Sequence, residues 1–145
     1  MGALAAPRFA ILLVALTVVS CTRRQPPETY EDAQAAFFRG DLKQATEAAH
    51  RGGERVRDGP QSALFWKFRL LESEVLAAQS RNVEAEALLG MPVPPRAELK
   101  QLEARRLIDL AGLPGRMNGG ELLQQAGEWA TDPELAIRLH LAEGT

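Results

Sequence analysis

The chain has 145 residues, of which 46% are hydrophobic and 25% charged, and its 17 basic and 19 acidic side chains leave a formal net charge of −2. This length accommodates one domain. The charge balance excludes the strongly basic surface that neutralises a phosphate backbone, so we expect no nucleic-acid partner. A single cysteine excludes an internal disulfide, and with only two histidines it leaves too few ligands for a typical zinc site. We therefore expect no metal and no cofactor.

The first twenty residues have the pattern of an export signal. Arg8 is the only charged residue before Arg23, and it precedes a run of 11 mainly apolar residues at positions 9–19. As a helix this run is about 16 Å long, roughly half the thickness of the hydrocarbon core of a bilayer. Its length is typical of the hydrophobic region of a signal peptide. We therefore assign residues 1–20 to a signal peptide and leave them out of the predicted fold.

The end of this run resembles the lipobox of bacterial lipoproteins. Positions 18–21 read Val-Val-Ser-Cys, which places the only cysteine of the chain where that motif requires it. The resemblance implies cleavage between Ser20 and Cys21 and lipidation of Cys21, and two or three acyl chains anchor a protein durably. Because Thr22 and not aspartate follows the cysteine, it further implies delivery to the outer membrane, with residues 21–28 as a lipidated tether and the domain facing the periplasm. The alternative is an ordinary signal peptide that ends in a free cysteine.

From residue 29 onward the apolar spacing is helical, and alanine and leucine dominate over β-branched residues. Thr29 and Asp32 are spaced to cap a first helix that ends before Gly40. Asp41 is placed to cap a second helix, which we expect to extend toward Val56. Further helices are expected at residues 62–79, 82–89, 97–113, 121–130 and from 132 onward, with a proline-rich loop at 90–95. The longest of them carries one apolar stripe, formed by Leu64, Phe65, Phe68, Leu71, Val75 and Ala78.

Similar turn regions recur in this segment, although their spacing is irregular. Residues 39–45 (Arg-Gly-Asp-Leu-Lys-Gln-Ala) align with residues 79–85 (Gln-Ser-Arg-Asn-Val-Glu-Ala) at an offset of 40, and the glycine-containing residues 115–120 follow at an offset of 35. The small turn residue, with alanine or glycine five positions later, resembles tetratricopeptide repeats. Over residues 29–143 the resemblance implies an all-α fold, a short solenoid of antiparallel helix pairs with an inner groove. The sequence departs from the repeat pattern at one turn glycine and at one usually apolar position, which are occupied by Ser80 and Glu72. A generic helical bundle is the alternative.

A narrower resemblance covers residues 65–81, which are similar to repeats that precede CHAT-type, caspase-like protease domains. Those proteins carry their catalytic histidine and cysteine in a separate downstream domain, and nothing in this sequence corresponds to that pair. His50 and His140 are the two histidines, and neither has a catalytic motif around it. No phosphate-binding loop and no metal-binding motif is present. We therefore expect no enzymatic activity and no small-molecule substrate.

The first helices of the expected pairs would line the groove, and they carry the candidate partner-binding residues. Basic side chains there would hold the acidic tail or the C-terminal carboxylate of a client protein, with a nearby tryptophan as an aromatic anchor. The alternative is an ordinary solvated face in which arginine stems cover apolar surface. The candidates are Trp66, Lys67, Arg69, Arg105, Arg106 and Arg138.

These observations predict a membrane-anchored lipoprotein of the bacterial cell envelope, a scaffold or adaptor whose helical-repeat module binds other proteins. One alternative is the non-catalytic N-terminal repeat region of a larger CHAT-type protease-like protein. The last apolar helix favours it, since Leu135, Ile137, Leu139 and Leu141 have no following partner helix. Another alternative is a structural subunit of an envelope assembly or secretion machine.

Overall fold

The computed structural model describes residues 29–144, and within them it contains seven α-helices and no strand. The predicted all-α class is therefore confirmed. The predicted signal peptide and tether, with Ser20 and Cys21, lie outside the described residues. Over residues 29–144, no helix combines the length and the apolar character that crossing a membrane requires. The helices are α1 (Tyr30–Phe38), α2 (Leu42–Glu54), α3 (Ala63–Ala78), α4 (Asn82–Leu89), α5 (Lys100–Ala111), α6 (Gly119–Gly127) and α7 (Pro133–Glu143), with short 3-10 turns at Gly59–Gln61 and Ala97–Leu99.

Short polar side chains cap four of these helices. Thr29 Oγ1 accepts a hydrogen bond from the Asp32 backbone N–H, and the Asp32 carboxylate accepts one from the Thr29 N–H, so the two form a capping box. Asp41 Oδ1 accepts a hydrogen bond from the backbone N–H of Gln44 at the start of α2. The predicted starts of α1 and α2 are confirmed. The side chains that cap α3 and α7 are those of Ser62 and Asp132.

Several predicted helix boundaries are wrong by a few residues, because the chain leaves α-helical geometry through tighter turns. The backbone N–H of Leu113 donates to the carbonyl of Leu110, three residues earlier, after α5 has ended at Ala111. At the end of α6, the N–H groups of Trp129 and Ala130 both donate to the Ala126 carbonyl. Apolar spacing is nearly the same in an α-helix and in a 3-10 turn, so the sequence pattern does not distinguish them. Helix α2 does extend toward Val56, as predicted, but it ends two residues before it, at Glu54.

Helix α3 is buried on two faces, and the single stripe predicted for it is too narrow. One face packs against α1 and α2 and contains the predicted positions Phe68, Leu71 and Val75. The opposite face packs against α4 and α5 through Leu70 and Leu76. The two ends of the predicted stripe, Leu64 and Ala78, are exposed. A helix between two sets of neighbours buries residues all round, so its amphipathic pattern is weak.

Contacts between helices follow two patterns. Consecutive helices pack against each other all along the described residues, from α1 to α7, and the α4–α5 contact is the least extensive of these. The odd-numbered helices also contact one another in the order α1, α3, α5, α7, whereas α2, α4 and α6 lie beside them. Side chains from all four odd-numbered helices therefore meet along one face of the described chain.

Candidate binding groove

The odd-numbered helices line an open cavity of about 340 Å³, which we call the groove. Helix α1 contributes Tyr30 and Gln34, α3 contributes Lys67, and α5 contributes Gln101 and Arg105. The start of α7 completes the wall with Asp132, Glu134 and Leu135. Amides, charged groups and one aromatic ring thus converge from four helices that are far apart in the sequence.

Lys67 is the exposed basic side chain of the groove. Its Nζ lies 5.8 Å from the centroid of the Tyr30 ring, within the range of a cation–π contact. The Tyr30 ring is held by an edge-to-face contact with Phe68, with a centroid separation of 5.7 Å. In the described part of the chain, no carboxylate lies within ion-pair distance of Lys67 Nζ. This ammonium group is therefore available to an acidic ligand.

A network of charged side chains forms one end of the groove, with Glu74 of α3 at its centre. Arg105 Nη2 donates to Glu74 Oε2 at 2.7 Å, and Arg138 Nη1 donates to Glu74 Oε1 at 3.0 Å. Arg105 also donates from Nη1 to the Tyr30 hydroxyl at 3.4 Å, and Arg138 Nε lies 3.4 Å from Glu134 Oε1. The network thus connects all four odd-numbered helices. The guanidinium groups of Arg105 and Arg138 are neutralised by carboxylates of the protein itself.

Within this network, Asp109 of α5 is the residue whose hydrogen-bonding groups are least satisfied. Its Oδ2 is buried without a hydrogen-bond partner, and so is the nearby Arg105 Nε, 3.7 Å away. Burial, together with the adjacent Glu74, raises the pKa of Asp109 to about 7, although Arg105 and Arg138 oppose the change. Burial lowers the pKa of Arg105, but its contacts with Asp109 and Glu74 outweigh that effect and leave it above the ordinary value.

Three of the six predicted partner-binding residues lie on the groove or in its network, namely Lys67, Arg105 and Arg138, and three do not. Trp66 is 1% exposed, packs with Val93 and Leu99, and donates from Nε1 to the Pro60 carbonyl at 2.8 Å. It is a core residue, because a ring of this size is most stable when its apolar surface is covered and its N–H is paired. The expectation that it forms an exposed anchor is corrected accordingly.

The other two arginines hold α4 in place. Arg106 is 8% exposed, binds both carboxylate oxygens of Glu103 at 2.6 Å, and donates from Nη1 to the Leu89 carbonyl. Arg69 donates from Nε to the Leu88 carbonyl at 2.9 Å, and burial lowers its pKa. Both side chains thus bond carbonyls at the end of α4, which have no partner inside that helix. Neither is placed to meet a ligand in the groove.

The remaining polar positions singled out in the sequence lie away from the groove. His50 is bonded through Nδ1 to Glu72 Oε1 at 3.0 Å, and this contact accounts for a glutamate at a usually apolar position. Burial raises the pKa of Glu72, and His50 opposes that shift. His140 is largely exposed beside Glu143. Within residues 29–144, no group of three or more histidine, cysteine or acidic residues is arranged to hold a metal ion.

Sequence reasoning missed the acidic half of the network. Glu74 and Asp109 look like ordinary solvated carboxylates, since each sits on an amphipathic helix among other charged residues. The spacing of Arg105 and Asp109, four residues apart on one helix, was the one available signal. Nothing in the sequence indicated that Glu74 would lie between two arginines from different helices. Comparison with protein-family models, curated proteins and solved structures found no match for this chain.

Proposed function

We propose that this protein is a lipid-anchored helical-repeat module that binds an extended segment of another protein at the bacterial envelope. The observation that carries this proposal is the groove, to which all four odd-numbered helices contribute side chains. A surface built from successive helices suits an extended chain, because each helix offers contacts to a different part of the ligand. The spacing of Gly40, Ser80 and Gly115, all with positive φ, supports a tetratricopeptide-like solenoid as its architecture.

The recognition chemistry of the groove depends on Lys67. Since Glu74 already pairs with Arg105 and Arg138, those arginines are not offered to a ligand in the way the sequence suggested. Lys67 lies at the open surface beside the side-chain amide of Gln34. The nearby Gln101 amide already donates to the Thr131 hydroxyl and accepts the Asp132 N–H. An ammonium group and the amide of Gln34 can bind a carboxylate together with a peptide group next to it. The groove therefore fits a peptide segment with one acidic group near its centre.

Membrane attachment is a separate part of the proposal, and it depends on Cys21. The lipobox at positions 18–21 supports acylation of this thiol after cleavage behind Ser20. Thr22, which stands where an aspartate would favour the inner membrane, supports location at the outer membrane facing the periplasm. Intact mass spectrometry of the membrane-extracted protein tests this directly. We expect a chain that begins at Cys21 and carries two or three acyl groups. Recovery of unacylated protein with an alkylatable thiol from the aqueous fraction would overturn the anchor.

Site-specific photo-crosslinking tests ligand binding in the groove. A photoreactive residue at Gln34 should form adducts with client protein in intact cells, and Lys67→Glu should remove most of them. The matched control places the photoreactive residue at Gln44 on α2 and pairs it with Lys43→Glu, since both positions are exposed and lie outside the groove. Identical adducts from the two positions, or adducts at Gln34 that persist in Lys67→Glu, would contradict the proposal.

A structural role in a larger envelope assembly is the second candidate function. It is favoured by two exposed aliphatic side chains one turn apart on α7, Ile137 (62% exposed) and Leu141 (68% exposed). Side chains of this type on one helix face are common in subunit interfaces. Co-purification from solubilised envelopes distinguishes the two functions, because a structural subunit is recovered in a stoichiometric complex and an adaptor is recovered with substoichiometric client.

A further inference from the structure

A second cavity, of about 300 Å³, lies on the other side of the charged network. Its walls come from α3, α5 and α7 and are mostly apolar, with Ala77, Ile108, Leu113 and Leu141 among the lining residues. Its polar groups are the side chains of Glu74, Asp109 and Arg138 and the hydroxyl of Ser73. The Ser73 hydroxyl already donates to the Leu70 carbonyl. A mostly apolar cavity of this size with a few convergent polar groups is typical of a site for a small ligand.

The two carboxylates of this second cavity differ in how many hydrogen bonds they accept. Both oxygens of Glu74 accept hydrogen bonds from arginines. Neither oxygen of Asp109 receives one from the described residues, since Arg138 Nη1 is 3.8 Å from Oδ1 and Arg105 Nε is 3.7 Å from Oδ2. These distances are too long for hydrogen bonds. A buried carboxylate without a donor is costly, so the cavity has a place for a ligand that supplies N–H groups.

The hydrogen bonds around Asp109 favour a cationic donor as that ligand. The carboxylates of Glu74 and Asp109 face the guanidinium groups of Arg105 and Arg138, and the largely exposed Glu134 contacts Arg138 from the groove side. Because both oxygens of Glu74 already accept from these arginines, the Asp109 carboxylate remains as an acceptor for a ligand. An anionic ligand would instead meet the ionised Asp109 with a charge of the same sign.

We propose that the second cavity binds a primary alkylammonium group, with the ammonium donating to Asp109 and the hydrocarbon chain packed against the apolar wall. This site is separate from the groove and does not depend on the proposed function. The alkylammonium group belongs either to a small free amine or to the lysine side chain of a bound protein, and both present the same chemistry to Asp109.

Calorimetric titration of the protein with n-hexylammonium chloride at pH 8 tests this proposal. We expect hexylammonium to bind, and hexanoate and n-hexanol to bind at least about tenfold more weakly, because only the ammonium forms a charge-assisted hydrogen bond with Asp109. Binding of hexanol as tight as that of hexylammonium would overturn the proposal, because the cavity would then select only for hydrocarbon. Absence of hexylammonium binding would overturn it as well.

Two variants test the two parts of the site, the Asp109 carboxylate and the apolar wall. Asp109→Asn should weaken hexylammonium binding by about tenfold or more, whereas Asp58→Asn, at an exposed position remote from the cavity, should leave it unchanged. Ala77→Leu places extra carbon atoms in the cavity and should abolish binding while Asp109 is intact. Circular dichroism establishes that each variant is folded. Unchanged affinity in both Asp109→Asn and Ala77→Leu would contradict the assignment of the site.

The pH dependence and a second ligand complete the test. Hexylammonium affinity should fall by about tenfold or more between pH 8 and pH 5.5, since the proton that Asp109 takes up competes with the ammonium. Affinity that stays constant over this range would overturn the role of Asp109. Titration with Nα-acetyl-lysine-methylamide then distinguishes the sources. Binding comparable to that of hexylammonium supports a lysine side chain of a partner, and its absence supports a small free amine.

Discussion

Gly40 and Ser80 occupy equivalent turns forty residues apart, although only one of them is a glycine. Both have left-handed backbone conformations, with φ of 79° and 61°. The N–H of Gly40 donates to the Phe37 carbonyl and that of Ser80 to the Ala77 carbonyl, each at 2.9 Å. The residues that follow are also equivalent, since the Asp41 N–H donates to the Ala36 carbonyl and the Arg81 N–H donates to the Leu76 carbonyl. The turn therefore requires a positive φ, and serine adopts it at a cost.

Replacing Ser80 with glycine should therefore stabilise the protein. We expect Ser80→Gly to raise the free energy of unfolding by about 0.5–1 kcal/mol, because glycine removes the strain of the left-handed conformation. The reciprocal variant Gly40→Ser should lower it by about 1 kcal/mol, since a Cβ at Gly40 meets open space and only the backbone strain remains. Urea unfolding measures both. Equal stability of the two variants would contradict the equivalence of the turns.

The two adjacent glycines in α2 should respond in opposite directions to substitution with alanine. A Cβ at Gly52 would overlap the ring of Phe68, whereas a Cβ at Gly53 would lie 3.5 Å from Phe68 Cβ, an ordinary contact. Gly52→Ala should cost about 1–3 kcal/mol through overpacking. Gly53→Ala should stabilise by up to about 1 kcal/mol, because alanine is the better helix former.

A double variant tests whether Phe68 causes the different effects of Gly52→Ala and Gly53→Ala on stability. Phe68→Leu, which shortens the side chain opposite Gly52, should reduce the cost of Gly52→Ala in a double-mutant cycle. In the same cycle with Gly53→Ala, the changes in the free energy of unfolding caused by the two substitutions should add. Thermal unfolding of the parent protein, the three single variants and the two double variants provides the measurement. A Gly52→Ala variant as stable as Gly53→Ala would show that the close approach of α2 and α3 is not needed.

Two arginine–glutamate pairs with the same spacing, three residues apart, should differ widely in their contribution to stability. The carboxylate of Glu103 is largely buried, binds Arg106 with both oxygens, and also accepts the N–H of Val93. Glu103→Gln should lower the free energy of unfolding by about 3 kcal/mol, since it leaves the buried Arg106 guanidinium without a countercharge. Chemical denaturation provides the measurement.

The exposed pair of Arg81 and Glu84 is the matched control. Its contacts are as short as those of the buried pair, but water screens both groups. Glu84→Gln should therefore have little effect on the unfolding midpoint. Similar effects of Glu103→Gln and Glu84→Gln would mean that the buried pair is solvated in solution.

Asp109 should make the stability of the protein decrease as the pH rises from about 4 to 7. Its pKa in the folded protein is raised to about 7, whereas an unfolded aspartate titrates near pH 3.9. Between these values the unfolded chain has lost the proton that the folded protein keeps, so stability falls with rising pH, and the loss is complete above pH 7. The maximum effect is about 4 kcal/mol for a shift of this size.

The variant Asp109→Asn isolates this effect from the other carboxylates. The difference in free energy of unfolding between Asp109→Asn and the parent protein should increase in favour of the variant between pH 5 and pH 8. Carbon-13 NMR of the Asp109 carboxyl group provides an independent titration. A difference that is flat across this pH range, or an NMR midpoint near 4, would contradict the burial of this carboxyl group.

Local features of the fold could be predicted from the sequence, and the long-range ones could not. The capping box of Thr29 and Asp32 and the turn glycine Gly40 depend on neighbouring residues, and both are confirmed. The burial of Trp66 and Arg106 depends on which helices become neighbours, and the apolar spacing of one helix does not contain that information. The network around Glu74 has the same origin, since its arginines come from residues 31 and 64 positions away.

The contact of Arg138 with Glu74 joins α7 to α3, and the contact of Arg105 with Tyr30 joins α5 to α1. Each contact passes across one intervening helix, so polar side chains link helices that are not direct neighbours in the row α1, α3, α5, α7. Salt weakens the ionic contact, which is partly exposed, more than it weakens apolar packing. We therefore expect the row of odd-numbered helices to bend more easily in concentrated electrolyte, while its secondary structure is retained.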